Sequence, residues 1–196
     1  MPSGRPLVLA STSAARRALL DRLRLPYEAV APVCDEDAIA GPSAEDTARL
    51  RALAKADSVA RVRPDAVVIG SDQVVELDGE LLGKPGTPER AAQQLARLAG
   101  REHRLITAVA LVHQDPSPTR EVRTTVHRMA MRPLAGDEIG RYVAADEPSH
   151  CAGSYKVESL GIALFERIEG DDWTAIVGLP LLAVSSMLRG AGFALP

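Results

Sequence analysis

The sequence contains few of the residues on which several classes of protein depend. Its two cysteines, Cys34 and Cys151, form no C-x-x-C pattern, which excludes a disulfide framework and fits a reducing compartment. Aromatic residues make up 3% of the chain, too few for a platform on which nucleic-acid bases stack. Lys and Arg number 23 against 26 Asp and Glu, so the formal net charge of -3 offers no polycation to duplex nucleic acid. Any site for an anion must therefore be local.

Long hydrophobic runs are also missing. The N-terminal residues lead directly into a short apolar segment, without a run of signal-peptide length. No later segment reaches the length that spans a membrane. We therefore expect a soluble, cytoplasmic protein that has no membrane partner.

Strand-like and helix-like patterns alternate along the chain. The predicted strands are Leu7–Ala10, Tyr27–Val33, Ala66–Gly70, Leu105–Val112, Glu121–Met131 and Gly161–Ile168. The predicted helices are Ala14–Leu25, Ala44–Val62, Pro88–Ala99, Ala135–Ala145 and one that runs from Gly178-Leu179-Pro180 to about Arg189, with Ser13, Ser43 and Thr87 as N-caps. Asp78-Gly79 predicts a hairpin turn, and residues 114–118 are rich in turn formers. This order predicts an α/β fold with a mixed central sheet flanked by helices, and the lack of repeats or linkers predicts one domain over residues 1–196.

Polar residues gather where predicted strands end, which is where open α/β sheets usually bind ligands. The four clusters are Ser11 to Arg17, Asp35-Glu36-Asp37, Gly70-Ser71-Asp72-Gln73 and Gly83-Lys84-Pro85. The first combines hydroxyl groups, the start of a predicted helix and two arginines, a combination that suits a polyphosphate.

The charged residues of these clusters suggest a reaction. Arg16, Arg17, Lys84 and Lys55 could neutralise phosphate oxygens. Glu36 and Asp72 could hold a divalent cation or orient a water molecule, since Mg²⁺ takes few protein carboxylates besides substrate phosphates. Each cluster alone also fits a solvated surface, and together they predict metal-assisted hydrolysis of a phosphoanhydride.

The ordered set of motifs resembles the Maf family of nucleoside triphosphate pyrophosphatases. The matching segments are Leu9 to Leu20, Asp35-Glu36, Ala54-Lys55-Ala56, Ile69 to Val74, Gly83-Lys84-Pro85, Gly100, Thr107, Ala152-Gly153-Ser154 and Val177 to Pro180. Gln73 and the stretch from His150 to Glu158 are similar to the YceF-type subgroup. That likeness implies hydrolysis of 7-methyl-GTP to 7-methyl-GMP and pyrophosphate, which would remove modified nucleotides from the pool. It also implies two lobes around a nucleotide cleft, a divalent metal (Mg, Mn or Co), a cytoplasmic location and commonly a homodimer.

The same resemblance implies a role for each site residue. Asp72 is the expected proton acceptor, and Glu36 is expected to share the metal with it. Ser11, Arg16, Arg17, Lys55 and Lys84 are expected to bind the triphosphate and to stabilise charge on the departing pyrophosphate.

Gln73 and Glu158 are the residues expected to recognise the base. Guanine presents an N1–H group and a 2-amino group on one edge, and one carboxylate can accept a hydrogen bond from both. N7-methylation makes the ring cationic, which further favours the carboxylate of Glu158. The thymidine- and uridine-type relatives carry Thr in place of Gln73 and Gln in place of Glu158.

Ala14 and Ala15 depart from the pattern. The resembling proteins carry Pro and then Trp or Arg at these two positions, and a Trp there could stack on a cationic purine. Since Ala15 cannot stack, another group stacks, the affinity is lower, or the substrate differs. Trp173 and Tyr155 are the alternative aromatic residues.

Two other functions compete with this prediction. One is the same reaction on dTTP and UTP or on a broader set of modified nucleotides, against which Gln73 and Glu158 argue. The other is a non-catalytic nucleotide-binding regulator of cell division. Two acids beside the basic residues argue against pure binding, since a polyanion site alone has less need of them.

Overall fold

The computed structural model describes residues 4–114 and 118–196. In these residues the strands are β1 (Leu7–Ala10), β2 (Glu28–Val30), β3 (Val67–Leu77), β4 (Glu80–Leu82), β5 (Glu102–His113), β6 (Thr119–Met131) and β7 (Phe165–Glu169). The α-helices are α1 (Ala14–Leu20), α2 (Ala44–Ala60), α3 (Pro88–Leu98), α4 (Gly136–Asp146), α5 (Trp173–Val177) and α6 (Leu181–Gly190). Short 3₁₀ helices cover Asp21–Leu23, Pro148–His150, Ala152–Ser154 and Leu160–Leu164.

The described strands form one mixed sheet in the order β2-β1-β3-β5-β6-β7, with β4 paired to β3. β1 runs parallel to both β2 and β3, so that Ala10 lies opposite Val30 on one side and Gly70 on the other. The β3–β4 and β6–β7 pairs are antiparallel. The predicted α/β class with a mixed central sheet is therefore confirmed.

The strand order reverses around β1. From β1 the chain passes through α1 to β2 on one side, and from β2 it passes through α2 to β3 on the other. In open α/β sheets, ligands bind beyond the carboxyl ends of the strands at such a reversal. Ser11 follows β1 directly, and β3 carries Asp72 just beyond the last pair that β3 forms with β1.

Local signals in the sequence account for several element ends. Ser13, Ser43 and Thr87 cap α1, α2 and α3, each accepting a hydrogen bond from a first-turn backbone N–H group, as predicted. Asp78 and Gly79 have φ angles of 52° and 83°, as the predicted tight hairpin turn between β3 and β4 requires.

The predicted end of a strand at Gly70 is wrong, because β3 continues to Leu77. Its polar residues stay buried because they have partners: the Ser71 hydroxyl lies 2.8 Å from the carbonyl oxygen of Ala108, and Asp72 pairs with Lys55. These partners are 37 and 17 residues away in sequence, so a local pattern does not reveal them.

Other boundaries also differ from the prediction. The first half of the predicted strand Gly161–Ile168 is a 3₁₀ helix, and α5 was missed. The predicted helix Ala14–Leu25 ends as a 3₁₀ turn, after which Arg24 adopts a left-handed φ of 53°. Strand β2 is shorter than the predicted Tyr27–Val33. Residues 115–117 of the predicted turn-rich segment lie outside the described residues.

The chain forms two compact units. As far as it is described, the first unit comprises Met1–Asp72, Thr107–Thr125 and Asp172–Pro196, and the second comprises Gln73–Ile106 and Val126–Asp171. The first unit has a buried aliphatic core from β1, α1, β3, β5 and α6. In the second unit, α3 packs against α4, and His103, Tyr155 and Phe165 form an aromatic cluster. The prediction of a single domain over residues 1–196 stays a prediction.

Candidate active site

A buried lysine lies between two carboxylates in the first unit. The Lys55 Nζ atom is 2.7 Å from Asp72 Oδ1 and 2.9 Å from Glu36 Oε2. The side chains of Lys55 and Asp72 are only 5% and 6% exposed, whereas that of Glu36 is 33% exposed. The structure therefore brings three predicted site residues together, with Glu36 on the side that water can reach.

Close packing of α2 on β3 positions Lys55. Ala52 and Ala56 flank Lys55 on α2, are fully buried, and face Gly70 of β3. A Cβ atom at Gly70 would lie 2.3 Å from the carbonyl oxygen of Ala52 and 2.7 Å from the backbone nitrogen of Ala56, so only glycine fits there. Because side chains alternate along a strand, Asp72 points to the same face as Gly70 and meets Lys55.

One oxygen of this cluster lacks a partner. Asp72 Oδ2 is buried and accepts no hydrogen bond within the described residues. An unpaired buried carboxylate oxygen is costly unless a water molecule or a cation supplies its partner. The Asp72 and Glu36 carboxylates are hard oxygen donors of the kind that Mg²⁺ or Mn²⁺ prefers, so the donor set fits a divalent cation. In residues 4–114 and 118–196, no group of three or more His, Cys, Asp or Glu side chains is placed to hold a metal ion.

Arg16 is turned toward the same cluster. Its Nε atom donates a hydrogen bond of 2.9 Å to the carbonyl oxygen of Gly178. Burial lowers the pKa of Arg16, while the charges of Asp72 and Glu36 act in the opposite direction. Ser11 is buried nearby in the chain, and its hydroxyl accepts a hydrogen bond of 3.1 Å from the Ser13 backbone N–H.

Arg17 differs from its neighbour. It is exposed on α1, and its carbonyl oxygen accepts a hydrogen bond from the Tyr27 hydroxyl. Helix α1 has only 7 residues, so its N-terminal dipole is a weaker source of positive potential than the predicted longer helix.

Sequence reasoning assigned no role to Gly178 or to Asp172. The Gly178 carbonyl oxygen accepts from Arg16 and also lies 2.9 Å from the Ser71 hydroxyl. The buried Asp172 carboxylate accepts hydrogen bonds from the backbone N–H groups of Thr174 and Leu182, which joins α5 to α6 around Gly178. The sequence signal for this place is the motif Val177-Gly178-Leu179-Pro180, which contains no charged residue.

Three further predicted site residues lie in the second unit. Lys84 and Glu158 are exposed, and Gln73 is half-buried. The thiol of Cys151 is close to several charges: burial raises its pKa most, with smaller effects from Lys156, Glu158, Asp146 and Lys84.

The candidates for base stacking are placed differently. Tyr155 is 6% exposed and its hydroxyl lies 3.0 Å from His103 Nε2, so it belongs to the core of the second unit. Trp173 is 55% exposed, and the Arg22 guanidinium lies 4.9 Å from its ring centroid. Ala15 is half-buried in the first turn of α1.

A family model described as Maf-like protein matches residues 6–191. The chain belongs to the Maf family. Maf relatives of nearly equal length include a "7-methyl-GTP pyrophosphatase" of Xanthomonas campestris pv. campestris (strain 8004), 50% identical over 97% of this chain and 98% of that protein. Proteins of the same name from Polaromonas sp. (strain JS666 / ATCC BAA-500) and Pseudomonas aeruginosa (strain PAO1) are 50% and 46% identical over 99% and 97% of this chain, and over 88% and 98% of their own lengths.

The Maf chain also resembles a solved structure of low sequence identity. The Staphylococcus aureus Ham1 protein matches with a TM-score of 0.52 at 15% identity, covering 95% of this chain and 100% of that chain. This likeness supports the α/β fold alone. None of the helices within the described ranges combines the length and the apolar composition that a membrane crossing requires.

Proposed function

We propose that this Maf protein is a nucleoside triphosphate pyrophosphatase that hydrolyses 7-methyl-GTP to 7-methyl-GMP and pyrophosphate. The observation that carries the proposal is the buried Lys55 between Asp72 and Glu36, with Asp72 Oδ2 left without a partner. The relatives that share about half of its residues bear the name of this activity.

Asp72 serves as the general base. Its Oδ2 atom accepts a proton from the attacking water, whose oxygen forms a bond to the α-phosphorus of the substrate. The bond between the α-phosphorus and its bridging oxygen to the β-phosphorus breaks, and pyrophosphate leaves. Lys55 holds the Asp72 carboxylate in place through Oδ1, which leaves the two lone pairs of Oδ2 for the proton of the water and for a cation.

Glu36 and Asp72 would hold a divalent cation (Mg, Mn or Co). When bound, the cation would neutralise part of the triphosphate charge. Ser11, Arg16, Arg17 and Lys84 bind phosphate oxygens and stabilise the negative charge that develops on pyrophosphate. Because Gly178 fixes the Nε atom of Arg16, this arginine keeps its orientation before substrate binds.

Glu158 and Gln73 recognise the base. The exposed Glu158 carboxylate accepts hydrogen bonds from the N1–H and 2-amino groups and attracts the cationic methylated ring. Glu158→Gln should therefore lower kcat/KM for 7-methyl-GTP more than for UTP, since a glutamine offers one acceptor in place of two. Equal losses on both substrates would contradict this role.

A substrate panel tests the proposal. Pyrophosphate release is measured with 7-methyl-GTP, GTP, dTTP and UTP in the presence of Mg²⁺, Mn²⁺ or Co²⁺, and the nucleotide product is identified by mass. The expected result is 7-methyl-GMP and pyrophosphate, with 7-methyl-GTP preferred. Preference for dTTP and UTP would favour the pyrimidine alternative. Nucleotide binding without turnover would favour the non-catalytic regulator.

A cytoplasmic location and a homodimer belong to the same proposal. Fractionation of cells and sedimentation of the purified protein test them directly.

A further inference from the structure

The segment that carries Glu158 has an unusual backbone shape. Residues 156–161, here called the recognition loop, fold back so that Gly161 packs on Lys156. A Cβ atom at Gly161 would lie 2.4 Å from the carbonyl oxygen of Lys156, so a side chain does not fit there. The two ends of the recognition loop therefore touch, and Glu158 lies at its exposed middle.

Asp146, the last residue of α4, contacts the recognition loop at three points. Its Oδ1 atom lies 2.6 Å from the Ser159 hydroxyl, and its Oδ2 atom accepts a hydrogen bond of 3.2 Å from the Gly161 backbone N–H. Its carbonyl oxygen accepts a hydrogen bond from the Lys156 ammonium group. One turn earlier on α4, the Tyr142 hydroxyl accepts a hydrogen bond of 3.0 Å from the Lys156 backbone N–H.

These contacts reach both sides of Glu158 and not its carboxylate. Asp146 binds residues 156, 159 and 161, whereas Glu158 stays exposed between them. A loop tied on both sides of its exposed carboxylate presents that carboxylate in a fixed position. A fixed carboxylate matters for base recognition because two hydrogen bonds to one purine edge require a defined geometry.

We propose that Asp146 is a positioning residue for base recognition. It fixes the recognition loop so that Glu158 meets the purine edge, and it touches neither the substrate nor the reacting phosphate. This inference rests on the proposed function, in which Glu158 recognises the base.

The test compares Asp146→Ala with wild-type full-length enzyme on 7-methyl-GTP and UTP. We expect kcat/KM for 7-methyl-GTP to fall roughly tenfold, because hydrogen bonds to a charged group are lost, and kcat/KM for UTP to change by less than about twofold. Asp146→Asn, which keeps one acceptor oxygen, should give an intermediate loss. The matched control is Asp137→Ala at the other end of α4, where the exposed Asp137 pairs with Arg141 of the same helix; it should leave both values unchanged.

A double mutant separates positioning from a general loss of structure. In the Glu158→Gln background, Asp146→Ala should change the ratio of the two kcat/KM values by less than about twofold, since the residue that it positions is already gone. A further tenfold loss of that ratio in the double mutant would overturn the proposal.

Amide hydrogen exchange gives a second readout that does not depend on turnover. Exchange of the Gly161 amide should accelerate in Asp146→Ala and stay unchanged in Asp137→Ala. Unchanged exchange at Gly161 in Asp146→Ala would overturn the proposal even if activity fell. Faster exchange at Gly161 together with an unchanged ratio of kcat/KM for 7-methyl-GTP to kcat/KM for UTP would overturn the role of Asp146 in base recognition. A Glu158→Gln variant with an unchanged ratio would count against the proposed function itself.

Discussion

Lys55 is the residue on which the charge balance of the site depends. Its ammonium group pairs with the buried Asp72 carboxylate and with the more exposed Glu36. Lys55→Met should lower the free energy of unfolding by about 3–5 kcal/mol, because it leaves the Asp72 charge buried without compensation. Urea unfolding at pH 7 measures this loss.

The double mutant Lys55→Met/Asp72→Asn serves as the control for that experiment. Removing the second charge should restore a large part of the lost stability, while activity stays absent. If the double mutant were as unstable as Lys55→Met, the loss would come from packing rather than from the unpaired charge.

His103 is the residue that should make stability depend on pH. It is 2% exposed, shares a hydrogen bond with Tyr155, and burial lowers its pKa from 6.5 to about 4. Between about pH 6.5 and pH 4, the unfolded chain therefore binds a proton at His103 that the folded chain does not. The contribution of the neutral, buried His103 to the free energy of unfolding is therefore complete above pH 6.5 and is lost as the pH falls toward 4. The loss in the free energy of unfolding should approach about 3 kcal/mol at pH 4.

Unfolding in urea across this pH range checks the contribution of His103. His103→Gln, which keeps a polar group beside the Tyr155 hydroxyl, should flatten the dependence. A variant with the wild-type dependence would assign the effect to other groups.

At single positions, the sequence predicted three residues that lie together in the structure but not the contacts that join them. Asp72, Glu36 and Lys55 are all predicted site residues, and the ion pairs that Lys55 forms with both acids were not predicted. The phosphate-binding role of Lys55 stays a prediction. Arg16 and Arg17 are adjacent and chemically identical. Only the tertiary partner Gly178, 162 residues away from Arg16, shows which of them turns inward.

The contact between α2 and β3 is the element-level feature that positions the site. Gly70→Ala should lower the free energy of unfolding by about 1–3 kcal/mol or more. The new Cβ atom would meet the α2 backbone and push Lys55 away from Asp72. Activity should fall together with stability. Thermal unfolding and pyrophosphate release measure the two effects.

Gly140→Ala is the matched control for Gly70→Ala. Gly140 lies within α4, and a Cβ atom there would meet no other atom within 4 Å. Alanine should therefore leave the protein unchanged or stabilise it by up to about 1 kcal/mol. Equal losses in the two variants would contradict the close-packing argument.

Elements with strong local signals were predicted well. Capping residues and the Asp78-Gly79 turn fixed the starts of α1, α2 and α3 and the β3–β4 hairpin. Elements whose polar residues have distant partners were not. Strand β3 continues through Ser71 and Asp72 because Ala108 and Lys55 satisfy them, and α5 depends on the buried Asp172 at its N-terminus.

At the scale of the whole molecule, the product nucleotide should stabilise the fold. A ligand that binds only the native state adds about 2.7 kcal/mol at a concentration of 100 times its Kd. We therefore expect 7-methyl-GMP, which has no phosphoanhydride to hydrolyse, to raise the Tm by roughly 5–10 °C at that concentration. UMP at the same concentration should raise the Tm less. Equal shifts with both nucleotides would contradict selection of the purine base.

The most direct test of the general-base role of Asp72 is the activity of Asp72→Asn on 7-methyl-GTP. Asparagine preserves the shape of the side chain and removes the proton acceptor, so pyrophosphate release should fall by roughly 10²–10⁴-fold while the far-UV circular dichroism spectrum stays the same. A folded Asp72→Asn variant with activity within a few-fold of wild type would contradict the assignment of Asp72 as the general base.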